Sequence, residues 1–152
     1  MGRIIESSCI IDAPSKIVWE ILVDFDQYSE WNPFTPKIEL EKKIGSSVIL
    51  HVNMNLNQKK LIRQKETLLE WNEGQNVNWG ITNSMLIQTV RIQSLTSIDE
   101  NKTKYYTSDS FKGILSHPVL MIYGKRIQKG FDAVGQALKK RSEATFHQIS
   151  GH

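Results

Sequence analysis

The sequence predicts an α+β fold in which a curved antiparallel sheet is closed by one long C-terminal helix. Three patterns carry that expectation: apolar residues alternate with period two from Lys37 to about Gly113, an apolar stripe recurs at three- and four-residue spacing in the last third, and two short helical patterns lie between Pro14 and Pro36. At 152 residues, 39% hydrophobic and 23% charged, the chain is sized for one domain with a core of its own. That domain is expected over residues 1–146, with 147–152 as a short tail.

Ile4 to Asp12 is rich in Ile with interspersed Ser and Glu and reads as a first strand. Pro14 ends it and opens a helix at a position where the missing N–H is harmless. Val18, Trp19, Ile21 and Leu22 give that helix one buried face. Asp24 and Asp26 suit the cap of a second helical turn, because a carboxylate accepts the backbone N–H groups left over at a helix start. Pro33 and Pro36 stop it, and Asn32 with Pro33 is expected to fix a turn.

Strands follow. Ile38 and Leu40 alternate with charged residues, Gly45 marks a turn, and Val48, Leu50, Val52 and Met54 share a face opposite His51. After a polar turn from Asn55 to Lys60 a strand runs to Trp71, the Asn72-Glu73-Gly74-Gln75 connection turns the chain, and Val77, Trp79 and Ile81 share one side of the next strand. Strands over Met85–Ile98 and Thr103–Gly113 complete a meander. From about Ser116 to about Ala144, Leu120, Tyr123, Ile127, Phe131, Val134 and Leu138 form the stripe of a long helix. The only surface large enough to cover it is the concave face of the sheet.

Composition excludes several classes. The longest apolar run, Val119–Tyr123, is far short of the roughly 18 residues that span a bilayer. The N-terminus has no secretory apolar stretch, and Glu6 stands where a myristoylation signal needs Ser or Thr, so a cytoplasmic location is the default expectation. Cys9, the single cysteine, reads as a small strand residue rather than a reactive thiol. The net charge of +3 is mild, and Lys42-Lys43, Lys59-Lys60 and Lys139-Lys140-Arg141 are scattered, which reads as solvated surface and not as a nucleic-acid partner site.

The chain resembles the START-like (SRPBCC) superfamily, and within it the polyketide cyclase/dehydrase and lipid transport group. The resemblance is carried by Ile11-Asp12-Ala13-Pro14, by Val18-Trp19, and by Tyr28-Ser29-Glu30-Trp31-Asn32-Pro33. Further matches are Leu68 to Trp79, with Glu73-Gly74 where the group has Pro-Gly, and Thr103 with Asp109-Ser110-Phe111-Lys112-Gly113, with Asp109 where the group commonly has Glu. Gly130 to Arg141 is similar to its closing helix. The resemblance spans essentially the whole chain and implies a helix-grip fold around a cavity, hence an apolar ligand. It transfers no chemistry, because the shared positions are packing, turn and capping residues.

A helix laid against a concave sheet encloses a space that side chains need not fill, and such spaces are typically apolar with a few orienting polar groups. The expected walls are Val52, Met54, Leu68, Trp79, Tyr105 and Phe111 from the strands and Tyr123, Ile127 and Phe131 from the helix. Period two from Tyr105 through Thr107 and Asp109 to Phe111 puts the Asp109 carboxyl on the same face as two aromatics. If that face is inward, the carboxyl has a raised pKa or a Tyr or Arg partner, a backbone hydrogen bond being the commoner role. Trp19, Trp31, Trp71 and Trp79 are expected in the core more than on a ligand.

No metal-ligand spacing, glycine-rich phosphate loop or Gly-x-Ser-x-Gly elbow occurs, so no metal or other cofactor is expected. The leading expectation is a carrier or sensor for a small hydrophobic molecule, lipid or polyketide-like. The second is a cofactor-independent cyclase or dehydratase, with Asp109, Tyr105 and Tyr123 as its weak catalytic candidates. A third is a ligand-free adaptor that docks through a sheet edge or the Asn55–Lys60 loop. Nothing in the residue pattern specifies an oligomer.

Overall fold

The computed structural model describes residues 2–56 and 60–151. Its elements are β1 (Arg3–Ile11), α1 (Ser15–Leu22), a 3₁₀ helix (Phe25–Glu30), β2 (Lys37–Leu40), β3 (Ser47–Val52), β4 (Ile62–Asn72), β5 (Asn76–Ile81), β6 (Gln88–Asp99), β7 (Lys102–Lys112) and α2 (Ser116–Ile149). The strands form one seven-stranded sheet in the order β1-β7-β6-β5-β4-β3-β2, every neighbouring pair antiparallel. A register shift between Leu68 and Glu70 adds bend where β4 meets β5, and β6 and β7 shift again between Ser97 and Asp99. The expected helix-grip architecture is present.

Three local expectations change. Asp24 precedes the 3₁₀ helix, but no side chain caps it; the turn closes through the backbone, with Gln27 N–H on the Asp24 carbonyl at 3.1 Å. Met85 and Leu86 stand in a loop ahead of β6, because Ser84 Oγ accepts the Leu86 N–H at 3.1 Å and the Leu86 carbonyl accepts from Leu115 N–H at 2.9 Å, leaving no strand partner for them. Helix α2 continues to Ile149, and Phe146 packs on the core, so the first half of the expected tail, 147–149, is helical. The Asn55–Lys60 turn lies partly outside the described residues. No described helix is long and apolar enough to cross a membrane.

The two halves of α2 have different surroundings. Its C-terminal half is sealed to the β1 edge: Lys139 Nζ donates to the Ile10 carbonyl at 2.8 Å, Glu143 accepts the Asp12 N–H at 2.8 Å, and Ser7 Oγ donates to Asp132 at 2.6 Å. Beneath it Val134, Leu138, Leu22, Val18 and Ile11 make a filled core. Cys9 belongs to this seam, its thiol 3.4 Å from the Gly135 carbonyl and its pKa pushed up by burial, consistent with a packing role. The N-terminal half, from Val119 to Phe131, stands over the other end of the sheet, where the packing is incomplete.

Candidate functional site

Under the N-terminal half of α2 lies a cavity of about 330 Å³. Its apolar walls come from β3 and the segment after it (Leu50, Val52, Met54), from β5 (Trp79, Ile81), from Phe111 on β7, and from Val119, Tyr123, Ile127 and Phe131 on α2. Phe34 and Thr35 close one side. Asn32 holds them as expected, its side-chain oxygen accepting the Phe34 and Thr35 N–H groups at 3.1 and 2.8 Å. Gly130 lets the Phe34 ring lie against α2; a Cβ there would collide with that ring. Phe34 then meets Phe131 edge to face, centroids 5.9 Å apart.

The floor is polar. Thr89, Arg91 and Gln93 face inward from β6, opposite Phe111, Asp109 and Thr107 on β7, and Glu66 and Gln64 face inward from β4. Arg91 is buried, donates from Nε to Thr107 Oγ1 at 2.7 Å, and lies under the Phe131 ring with Cζ 3.9 Å from its centroid. Asp109 sits directly across the ladder from Arg91, yet makes no ion pair with it, and its Oδ1 is closed off from solvent with no hydrogen-bond partner. Burial pushes the Asp109 pKa up to about 7, with Arg91 opposing. Glu66 is also raised to about 7, by burial and then by the Asp109 charge, while Arg91 and a Thr89 hydrogen bond pull the other way. The repulsion belongs to the pair, so whichever carboxyl ionises first raises the other.

Seven of the nine walls expected from sequence line this cavity, Val52, Met54, Trp79, Phe111, Tyr123, Ile127 and Phe131, and Asp109 lines it with them. Leu68 and Tyr105 do not. Both are fully buried in the filled half, where the Tyr105 hydroxyl donates to Gln93 Oε1 at 2.8 Å and its ring packs beside Gly135. No hydrogen bond joins Asp109 to Tyr105 or Tyr123 among the described residues, and the backbone bond expected for Asp109 is absent at Oδ1. Glu66 and Arg91 are the residues the sequence reading missed. Trp19 and Trp71 pack edge to face in the shell, and of the four tryptophans only Trp79 lines the cavity.

A wider groove of about 1080 Å³ runs between the 3₁₀ helix and β2. Asp24, Asp26, Lys37, Glu39 and Glu41 line it, and none has a buried unsatisfied atom, so it is a solvated surface furrow rather than a site.

The profile of the polyketide cyclase / dehydrase and lipid transport family matches residues 3–143. The chain belongs to that family. No curated protein matches it in sequence. Among solved structures it is similar to the Zhui aromatase/cyclase of Streptomyces sp. R1128, at 16% identity and a TM-score of 0.72 over 98% of this chain and 96% of that one. A START superfamily protein of Mycobacterium smegmatis gives 15% identity and 0.69, covering 96% of this chain and 98% of the other. Norcoclaurine synthase of Thalictrum, in complex with a transition state analogue, gives 8% and 0.68, covering 95% and 96%. At these identities the likeness is one of fold, and a shared fold does not fix an activity.

Proposed function

We propose that this chain binds a small, largely hydrophobic molecule in the cavity under α2 and carries or senses it, with a polar group of the ligand seated on Asp109. The observation that carries this reading is an apolar chamber lined by Asp109, a carboxyl whose Oδ1 is buried without a hydrogen-bond partner. A buried acceptor left without a partner costs about 1–3 kcal/mol, and a ligand hydroxyl or N–H placed there would recover it. Trp79, which also lines the chamber, has an indole N–H that is likewise buried without a partner. Family membership supports an apolar ligand, and the chamber of about 330 Å³ limits it to a compact one. Native mass spectrometry of the purified protein, compared with the denatured sample, tests the reading. A copurified mass that Asp109→Asn loses supports it; an apoprotein that takes up no small apolar alcohol or phenol sinks it.

One observation favours a second reading, acid/base catalysis of the cyclase or dehydratase kind. Asp109 and Glu66 both titrate near neutrality inside the chamber, so one can donate a proton while the other accepts one at physiological pH. In this version Glu66 takes the place expected for Tyr105, whose hydroxyl is committed to Gln93. Loss of turnover in both Asp109→Asn and Glu66→Gln, with binding retained, would distinguish catalysis from carriage.

A further inference from the structure

Nine of the fourteen large hydrophobic side chains exposed among the described residues gather at one end of the molecule. The β5–β6 loop contributes Met85 and Leu86, the β7–α2 connection Ile114 and Leu115, and the first turns of α2 Met121 and Ile122. Leu56, Leu61 and Ile62 come from the β3–β4 side. Met85 is 91% exposed, Ile114 76% and Met121 72%, values far above what isolated surface apolar residues require. Their backbone is held in place. Leu115 N–H bonds to the Leu86 carbonyl, Ser84 Oγ accepts the Leu86 N–H, and Gly113 takes φ +102° where a Cβ would meet that same Leu86 carbonyl.

This end is also where the cavity opens. Four wall residues here, Met54, Ile62, Ile87 and Val119, are partly or fully exposed, and each adjoins the apolar rim in sequence. Charge is sorted in the same way. The chain has 16 acidic residues, but segments 53–56, 60–65, 81–88 and 110–129 contain none. They carry instead seven Lys and Arg residues, among them Lys60, Arg63, Lys112, Lys125 and Arg126, all exposed and none in a salt bridge among the described residues.

We infer that this end docks on the surface of an anionic lipid bilayer, with the rim in the headgroup region and the cavity mouth facing the acyl chains. A partner protein would offer acidic side chains to such a ring but no reason for ordered apolar loops around a cavity entrance. A bilayer offers negative charge and apolar depth together, and both kinds of residue are used at once. A hydrophobic ligand could then pass between membrane and cavity without crossing water.

The docking is tested with the full chain and vesicles, independently of any ligand. Co-sedimentation with vesicles of phosphatidylcholine plus one quarter phosphatidylglycerol is expected, with weak binding to phosphatidylcholine alone and loss on raising salt from 0.1 to 0.5 M. Lys125→Ala with Arg126→Ala should weaken binding about twentyfold, near fivefold for each charge removed. Met85→Asp with Met121→Asp should abolish it at an unchanged melting temperature, since both side chains are exposed. Failure to bind anionic vesicles, or binding indifferent to these substitutions, overturns the inference. So does a salt-resistant dimer in solution that Met121→Asp dissociates, since the rim would then be covered by a second copy. A cavity found empty while vesicle binding holds would count against the ligand reading alone.

Discussion

The Arg91 guanidinium lies face-on beneath the Phe131 ring, Cζ to centroid 3.9 Å, and so ties the polar floor of the sheet to the helix above the cavity. Arg91 cannot swing away cheaply, because Nε is held by Thr107 at 2.7 Å and the residue is buried. Phe131 is fixed in turn by the edge of Phe34. Phe131→Ala removes both aromatic contacts and leaves a void next to an existing one. It is expected to cost about 3–5 kcal/mol in denaturant unfolding. A loss below about 1 kcal/mol would mean that the ring is not the keystone of the helix contact.

The carboxyls beneath give stability a pH dependence with a definite sign. Asp109 and Glu66 have folded-state values near 7, above the ordinary 3.8 and 4.5, so folding favours their protonated forms. Their contribution is therefore intact below about pH 4 and is lost as pH rises toward and through 7. Asp109→Asn mimics the protonated acid. It is expected to be a few kcal/mol more stable than the unmodified protein at pH 8, and nearly equal to it at pH 4. Arg91→Met should act in the opposite sense at pH 8, because it removes the one charge that lowers both carboxyls. Denaturant midpoints of the three proteins at the two pH values check this, and a midpoint of Asp109→Asn at pH 8 no higher than the parent's would refute it.

These inward charges also explain which parts of the site could be read in advance. Period two and the helical stripe locate nearly every strand and the long helix, because their apolar faces are buried as patterned in β3, where Val48, Leu50 and Val52 are inward. In β6 the pattern is inverted: Thr89, Arg91, Gln93 and Leu95 are buried while Val90 and Ile92 are less so. Alternation alone would send Arg91 outward. Glu66 hides in the same way among the charged residues of β4. Asp109 was legible only because two aromatics flank it on its face. The division of the interior into a filled half with Leu68 and Tyr105 and an open half with Trp79 depends on where α2 is pinned to β1, which no local pattern records.

Glu73, in the turn between β4 and β5, ties that turn to α1 and to Lys42. One carboxylate oxygen accepts from the Trp19 indole at 3.0 Å, and the other from Trp71 at 2.8 Å and Lys42 at 2.7 Å. Those bonds hold its pKa down at about 2. Its stabilising contribution is present above about pH 4.5 and lost as pH falls through 2. Glu73→Ala is expected to lower the melting temperature at pH 7 and to dull the near-ultraviolet signal of the Trp19–Trp71 pair. The difference from the parent should close at pH 2. Equal melting temperatures at pH 7 would show that the carboxylate only decorates the turn.

Gly130→Ala sets two effects against each other. Alanine gains about 1 kcal/mol in a helix interior, but its Cβ would sit inside the Phe34 ring contact. Phe34 is anchored through its own N–H to Asn32 and through its carbonyl to Asn53 N–H at 2.6 Å, so the ring has little freedom to retreat. Overpacking of this kind costs about 1–3 kcal/mol. A net destabilisation is expected in thermal unfolding, together with altered ligand uptake, since Phe34 is also a cavity wall. A stabilised variant would mean that the segment after Asn32 yields.

Val119 gives the sharpest separation of a working cavity from an accidental packing defect. It lies on the first turn of α2, partly exposed, and its side chain faces the chamber near the mouth. Val119→Phe adds volume into space that is already empty, so little strain is introduced, and the extra apolar surface removed from water contributes about 25 cal/mol per Å². Stability is therefore expected to hold or rise. If the chamber serves a ligand, uptake measured by native mass spectrometry should fall at least tenfold, because the added ring occupies the ligand's place. Unchanged uptake in a variant of unchanged stability would place the ligand elsewhere on the molecule.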